Sequence, residues 1–413
     1  MDIIHSMNDH PLPRHVADAL RWRLSVMPAT VVLGARQTGK STLALRLTPG
    51  PRRLVSLDAF DALDLARRDP MALLAGPDPV TLDEVQREPQ TLRAAKLLID
   101  SDRRPGRFLI TGSANLLLMR SVGETLAGRA AYLTLWPMTR REQMGEGACG
   151  RWDDLLRTDP SEWRDLLLAD HAPPEDWREL AARGGFPVPA LQMNTPDARR
   201  IWFDGYVRTY LERDLQAVSS ISALPDFRRL MQAVCLRLGR LLNQTELGRD
   251  IAMQQPTVHR YLHILETSYM LVRVPAFSVN RTSRLLKMPK LYWADTALAM
   301  HLAGVDVPQG AHLENIVLHD LIVWRDARDE RAEVLHWRTV TGREIDFIIE
   351  RPGALLPVEV KASAHPSVGD TRHIRAFRQE HPEAALPGLL LHTGATVEWL
   401  TADVLAAPWW RVL

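Results

Sequence analysis

Five short, almost wholly apolar runs punctuate the first third of the chain: "ATVVL" at 29–33, "RRLVS" at 52–56, "PVTLD" at 79–83, "RFLIT" at 107–111 and "RAAYLTLW" at 129–136. Helical patterns separate them. Strands that alternate with helices predict a parallel sheet covered on both faces. From 151 the pattern changes. "RWDDLLRTDPSEWRDLLLADHAPPEDWRELAARGGFP" sets Trp and Leu at helical spacing broken by Pro pairs, which predicts short helices packed on the preceding core. "ARRIWFDGYVRTYLERDLQAV" reads as a long amphipathic helix, with Arg208, Arg213 and Asp214 in solvated or interdomain pairs. "NQTELGRDI", a turn, "QQPTVHRYLHILETSYM", a β-branched segment and the basic "NRTSRLLK" give the order helix, turn, helix, strand, wing. Beyond 311 an amphipathic helix precedes apolar runs joined by turns at Thr341-Gly342 and Pro352-Gly353, an antiparallel meander.

A length of 413 residues suits two or three domains, each able to bury a core. The net charge of +1 gives no global basic signature, which counts against a simple DNA-coating protein. Cys149 and Cys235 lie far apart and outside any CxxC pattern, so neither a disulfide framework nor a zinc site is expected. The first residues lack a charged start followed by an apolar stretch, and no apolar run is long enough to span a bilayer. The expectation is a cytoplasmic protein with no membrane partner. Only five of the 51 basic residues are lysines: Lys40, Lys96, Lys287, Lys290 and Lys361. A chain that uses Arg for generic positive charge keeps Lys where a compact ammonium is required.

The first chemical centre follows the first strand. "GARQTGKST" places Gly34, Ala35, Arg36, Gln37, Thr38, Gly39, Lys40, Ser41 and Thr42 between a strand and a helix, the context of a phosphate-binding loop. Its backbone amides and the helix N-terminus would bind ATP phosphates, Lys40 would reach the β- and γ-phosphates, and Ser41 would ligate Mg²⁺. "TLDEVQ" ends a strand at Asp83, a metal-holding carboxylate, with Glu84 beside it to orient and polarise the attacking water. Ser113 and Asn115 follow the next strand, as γ-phosphate sensors or as an ordinary helix cap.

With these motifs on the page, the chain resembles the prokaryotic AAA-type ATPases in which this core is joined to a C-terminal domain of unassigned function. The similarity runs through "GARQTGKST", "TLDEVQ", "LITGSANLLL", "ETLAGRAAYLTLWPMTRRE", "YVRTYLERDL", "KLYWADTAL", "HLENIVLHDL" and "GREIDFII…VEVK", most of the chain. It implies an ATPase, makes self-association plausible, matches Arg129 to an arginine that serves as finger or sensor, with a plain surface role as the alternative in so arginine-rich a chain, and leaves Lys290 as a packing residue at a hinge.

Two further sites are expected. If the winged helix reads DNA, Gln255, Thr257, His259 and Arg260 sit where groove contacts are made, and Arg281, Arg284 and Lys287 meet phosphates. The same module can instead dock protein. In "LPVEVKAS", Glu359 and Lys361 share a strand face, with Asp346 on the neighbouring strand. This looks like a PD-(D/E)XK nuclease core, with Glu314 as the helix acid, Glu314, Asp346 and Glu359 on a metal, and Lys361 beside the reacting phosphate. Glu344-Ile345 stands where Pro-Asp is usual. The sequence thus predicts an α/β protein in four parts: an AAA-type P-loop core (1–148), a helical lid or linker (149–235), a winged-helix-like module (236–290) and an α+β restriction-nuclease-like domain (291–413). Two functions stay open: an ATPase acting on DNA, with or without metal-dependent cleavage, and a nucleotide-dependent switch or scaffold that docks proteins.

Overall fold

The computed structural model describes residues 11–48, 50–112, 125–214 and 223–413. Ser113, Asn115 and the Arg213 and Asp214 side chains lie outside the described residues. Strands β1 (Ala29–Leu33), β2 (Arg53–Ser56), β3 (Val80–Asp83), β4 (Phe108–Thr111) and β5 (Ala130–Thr134) form one parallel sheet in the order β2-β3-β4-β1-β5. Strands β1, β3 and β4 are buried along their whole length, the reason their sequences are continuously apolar. Helix α1 (Ala17–Val26) covers one face, with Leu20 and Leu24 on Val32, Leu109 and Leu133. After β1 come α2 (Lys40–Thr42), continued by a π turn (Leu43–Leu47), and, beyond two short helices between β2 and β3, α3 (Thr91–Ser101). Helix α3 covers the other face, with Leu92, Ala95 and Ile99 near Val31, Leu82 and Ile110. This order brings the carboxyl ends of β1, β3 and β4 side by side, so residues that close each strand converge.

The Trp-rich segment folds into short helices, among them α4 (Trp152–Arg157), α5 (Trp163–Leu168) and α6 (Trp177–Arg183). They are not a lid on the ATPase sheet. Trp152, Trp163 and Trp177 share a core with Trp324, Trp409 and one face of the C-terminal sheet. Helical spacing identifies an apolar stripe but not the surface it covers, and each fully buried side chain of this size contributes about 2–3 kcal/mol wherever it packs.

The remainder of the expected linker joins the segment expected to be a winged helix. Helices α7 (Pro196–Tyr206), α8 (Leu224–Cys235), α9 (Gln244–Asp250) and α10 (Gln255–Thr267) precede β6 (Leu271–Val274), α11 (Arg281–Leu286), β7 (Lys290–Trp293) and α12 (Thr296–Ala303). Asn243 caps α9 by accepting from the Thr245 and Glu246 amides at 3.1 Å. Strands β6 and β7 pair antiparallel. Leu291 and Trp293 of β7, with Ala297, Leu298 and Ala299 of α12, sit in the core that holds α8 and α10, so position 290 is not a domain edge. Tyr292 faces the other way, into the C-terminal core. A strand's period of two lets β7 serve two domains at once.

Helix α13 (Gly310–Ala327) leads into the antiparallel meander β8 (Glu333–Arg338), β9 (Glu344–Arg351) and β10 (Ala354–Val360). Helix α14 (Arg372–Glu380) then crosses to β11 (Gly388–His392), which pairs parallel with β10. With β12 (Glu398–Thr401) and β13 (Val404–Pro408) the mixed sheet runs β12-β13-β11-β10-β9-β8. Helix α13 packs on one face and α14, through Ile374 and Phe377, on the other.

Candidate active site and a second charged centre

Gly34 leaves β1 at φ +146°, where an added Cβ would lie 2.2 Å from the Leu135 carbonyl oxygen, so no side chain fits. Gln37 (φ 61°) and Gly39 (φ 94°) are left-handed, the backbone geometry from which anion-binding concavities are built. Lys40 opens α2 and is only 6% exposed; its Nζ donates to the carbonyls of Gly34 at 3.1 Å and Ala35 at 2.5 Å. Burial pulls its pKa down to about 8, against the opposing fields of Glu84 and Asp83. Thr38 is buried and donates to the Ala35 carbonyl at 3.0 Å, which fixes the loop from inside. Thr42 is exposed at the start of the helix. Arg14 holds the loop from outside: it donates to the Thr38 carbonyl at 2.8 Å and the Trp136 carbonyl at 2.7 Å, and its Nε pairs with Glu142 at 3.1 Å. No sequence signal distinguished Arg14 among so many arginines.

Asp83 is buried at the end of β3, and its Oδ1 accepts from Ser41 Oγ at 3.2 Å and from the Thr111 hydroxyl. Thr111 closes β4, so parallel packing of three strands assembles this group. Ser41 at the start of α2 and Asp83 at the end of β3 are hard oxygen donors in hydrogen-bond contact and fit Mg²⁺. Glu84 follows with a left-handed backbone (φ 59°) and accepts a hydrogen bond from the Gln86 amide. A non-glycine residue in that region costs roughly 1–2 kcal/mol. Such strain concentrates at working sites.

Arg129 is placed elsewhere. Its carbonyl accepts from Ala29 N at the amino end of β1, and its guanidinium clasps Asp100 at 2.6 and 2.9 Å. At ~3.3 Å per strand residue it stands roughly 15 Å from the P-loop of its own chain. Of the two readings of Arg129, its placement within its own chain matches the surface ion pair rather than a sensor of that loop.

The second centre gathers Glu314 of α13, Glu344 and Asp346 of β9, Glu359 of β10 and the adjoining Lys361. Continuing the β9–β10 register by one step sets Asp346 opposite Glu359. Asp346 Oδ2 accepts from Val360 N at 2.9 Å, and Lys361 Nζ lies 2.7 Å from Glu359 Oε1. Into this group β7 inserts Lys290. Its Nζ lies 3.0 Å from Glu314, 2.7 Å from Glu344 and 3.2 Å from Asp346, while Tyr292 donates to Glu314. Burial raises the carboxyls of Glu314 and Glu359, with the Asp346 charge adding to both, and the surrounding carboxylates raise Lys290 despite its burial. Among the described residues, buried Glu359 Oε2 has no hydrogen-bond partner.

This corrects the expected metal ligation. An ammonium stands where Glu314 and Asp346 would share a divalent ion. A dication about 4 Å from it would be repelled by on the order of 8 kcal/mol at an effective dielectric of 20. Among the described residues no group of three or more His, Cys, Asp or Glu is arranged to hold a metal. The donor set does not fit Mg²⁺ in this arrangement. Sequence reasoning named four of these residues and missed Lys290 as a member. The signal was present: Lys290 is one of the five lysines, three of which now lie in the two centres.

Of the expected DNA contacts, Gln255, His259 and Arg260 are exposed on α10 and Thr257 is half-buried beside them. Arg260 lies over the Tyr261 ring at 5.1 Å. The basic stretch expected as a wing differs from expectation: it forms helix α11. Arg284 is 7% exposed and bonds the Ser278 carbonyl at 2.7 Å, Glu333 at 3.0 Å and Glu350 at 3.0 Å, so it ties α11 to the C-terminal sheet and cannot meet a phosphate. Arg281 is exposed, 4.0 Å from Glu350, and Lys287 reaches the Phe277 carbonyl at 3.5 Å.

Comparison with known proteins matches three stretches of the chain. Residues 27–144 match the AAA domain, 174–309 a domain of unknown function (DUF8612), and 309–412 another domain of unknown function (DUF4143). An uncharacterized protein of Mycobacterium tuberculosis and one of Mycobacterium bovis are each 30% identical over 365 residues, covering 86% of this chain and 75% of theirs. A Walker-type ATPase of Pyrococcus abyssi aligns over 71% of this chain and 99% of its own, with 17% identity and a TM-score of 0.44. No helix among the described residues is long and apolar enough to cross a membrane. The nucleotide site and the domain match agree, and the chain belongs to the family of these mycobacterial proteins: an α/β P-loop ATPase of the AAA type with a C-terminal domain of unknown function.

Proposed function

We propose that this ATPase is Mg²⁺-dependent and works on DNA through its winged helix without cutting it. One observation carries the reading: the P-loop and the exposed helix α10 share a core. Ala35 packs in the cluster that contains Tyr206, Tyr210, Val258 and Tyr261, and the Arg36 guanidinium lies 5.4 Å from the Tyr210 ring centre. Movement of the loop around bound phosphates would therefore be felt by the helix that presents Gln255, His259 and Arg260. ATP phosphate oxygens would replace the Gly34 and Ala35 carbonyls on Lys40, exchanging neutral partners for charged ones. Glu84 orients the attacking water and draws on its proton. Mg²⁺, when bound by Ser41 and Asp83, neutralises charge on the phosphates. The order α13, β8–β9–β10, α14, β11 supports a nuclease-like ancestry for the C-terminal domain, which we read as a scaffold. Fluorescence anisotropy on labelled duplex, from 50 to 200 mM salt with and without ATP, tests the reading. Binding should weaken steeply with salt. Arg260→Ala should cost about tenfold, at the low end of 1–3 kcal/mol per base contact. Affinity unaffected by both salt and Arg260 would sink it.

A second reading, docking of a protein, has its own support. The wing exposes apolar surface: Val279, Leu285 and Leu286 are 75%, 86% and 84% exposed. A wing facing DNA alone would present Arg281 and Lys287 without this apolar surface beside them. That reading predicts ATP turnover indifferent to DNA, and self-association that Leu285→Ser weakens in sedimentation.

A further inference from the structure

Lys290 is 1% exposed and reaches three carboxylates that come from two elements of another domain. Its strand is fixed on both sides. Val274 pairs with Lys290 across β6–β7, and Leu241 bridges to it on the far edge. Neighbouring bonds run from Gly239 N to the Leu291 carbonyl at 2.8 Å and from Leu242 N to the Pro289 carbonyl at 2.8 Å. The ammonium is delivered by a rigid strand, not by a flexible tail, and it points where Glu314 and Asp346 converge. The site is crowded as well. A Cβ on Gly239, which has a left-handed backbone, would lie 3.2 Å from Glu314 Oε2, so the winged-helix module closes on the acid from a second direction.

We propose that Lys290 is the resident cation of the C-terminal acidic centre: it takes the place of a divalent metal and locks the winged-helix hairpin to the nuclease-like sheet. Chemically, one ammonium with three directed donors satisfies Glu314, Glu344 and Asp346. The centre then cannot assemble a metal-activated water while β7 is docked. Lys361, held on Glu359, completes the second half of the same charge balance. The proposal goes beyond the DNA reading and holds whether or not α10 binds DNA.

Its test is a Mn²⁺ titration of the nucleotide-free full chain, read by electron paramagnetic resonance. Four proteins are compared: wild type, Asp346→Asn, Lys290→Met and the double variant. Any weak binding at Ser41 and Asp83 is common to all four. Wild type and Asp346→Asn should give the same isotherm. Lys290→Met should gain one equivalent of Mn²⁺, bound at least tenfold more tightly than by wild type, and the double variant should lose it. Circular dichroism establishes that Lys290→Met is folded. A folded Lys290→Met that gains no ion would overturn the proposal. So would a wild-type Mn²⁺ equivalent that disappears in Asp346→Asn. If Lys290→Met does not fold, the comparison of wild type with Asp346→Asn still decides, because a metal-filled native centre must lose its ion there and an ammonium-filled one has none to lose.

Discussion

Lys40 and Lys290 are both buried, both lie at the heart of a charged centre, and are held in opposite ways. Lys40 donates to two backbone carbonyls, and burial pulls its pKa down to about 8. Lys290 lies among three carboxylates, which raise its pKa in spite of burial. An ammonium on neutral partners gains by exchanging them for an anion, so the first centre is built to take phosphate. An ammonium on carboxylates is already neutralised, so the second is closed to anions and cations alike. Both centres contain acids and lysines. Partner charge, rather than composition, separates a binding site from a lock.

The largest effect that would break this contrast concerns turnover. Lys40→Ala should lower ATP hydrolysis by at least about a hundredfold, since it removes charge stabilisation of the transferring phosphoryl group. A phosphate-release assay that found wild-type rates would deny that Lys40 faces the nucleotide. Folding should respond in the reverse order. Lys290→Met leaves buried carboxylates uncompensated and should cost about 3–5 kcal/mol in urea unfolding. Lys40→Ala breaks no ion pair among the described residues, only two bonds to backbone carbonyls, and should cost far less. Equal losses would erase the distinction.

Glu84→Gln sharpens the first half. It should retain nucleotide binding and slow turnover by about 10²–10⁴-fold, the usual contribution of a general base. Loss of binding instead, seen with a fluorescent ATP analogue, would make Glu84 structural.

A smaller effect concerns acid. Burial holds His319 and His336 at about 4, below the ordinary 6.5. Between those values the unfolded chain binds more protons than the folded one, so stability is present above pH 6.5 and is lost as pH falls toward 4. Each histidine contributes at most about 3 kcal/mol. Asp320, raised from 3.8 to about 6 by burial, has the opposite slope across its own window and offsets part of the loss. His336→Gln should flatten the acid limb of a urea midpoint against pH. An unchanged limb would contradict the assignment. The smallest effect belongs to Arg129→Ala, which should leave turnover per chain unchanged because the residue pairs with Asp100 far from the P-loop.

How much of this was legible follows from where each part lies in the chain. The nucleotide site is written in contiguous words: the loop 34–42 and the pair Asp83-Glu84 carry strand, turn and acid together, so local pattern is enough. The second centre was legible in Asp346, Glu359 and Lys361, which alternate along strands. The missing member arrives from β7, 56 residues before Asp346, and no periodicity links strands of different domains. Scarcity of lysine and the resemblance in "KLYWADTAL" pointed to Lys290, but neither named its carboxylate partners. Arg284 misled for the complementary reason: in a chain that spends arginine freely, a basic stretch does not reveal whether its charges face water or carboxylates. The Trp-rich helices show the same limit, since an apolar stripe does not name the sheet it will cover.

The most direct measurement is the number of Mn²⁺ ions bound per chain in the presence of a non-hydrolysable ATP analogue. One ion, lost in Ser41→Ala, is the result expected if the first centre is open and the second is filled by Lys290. Two ions, one of them surviving Ser41→Ala and lost in Asp346→Asn, would contradict it and make the C-terminal centre a metal site after all.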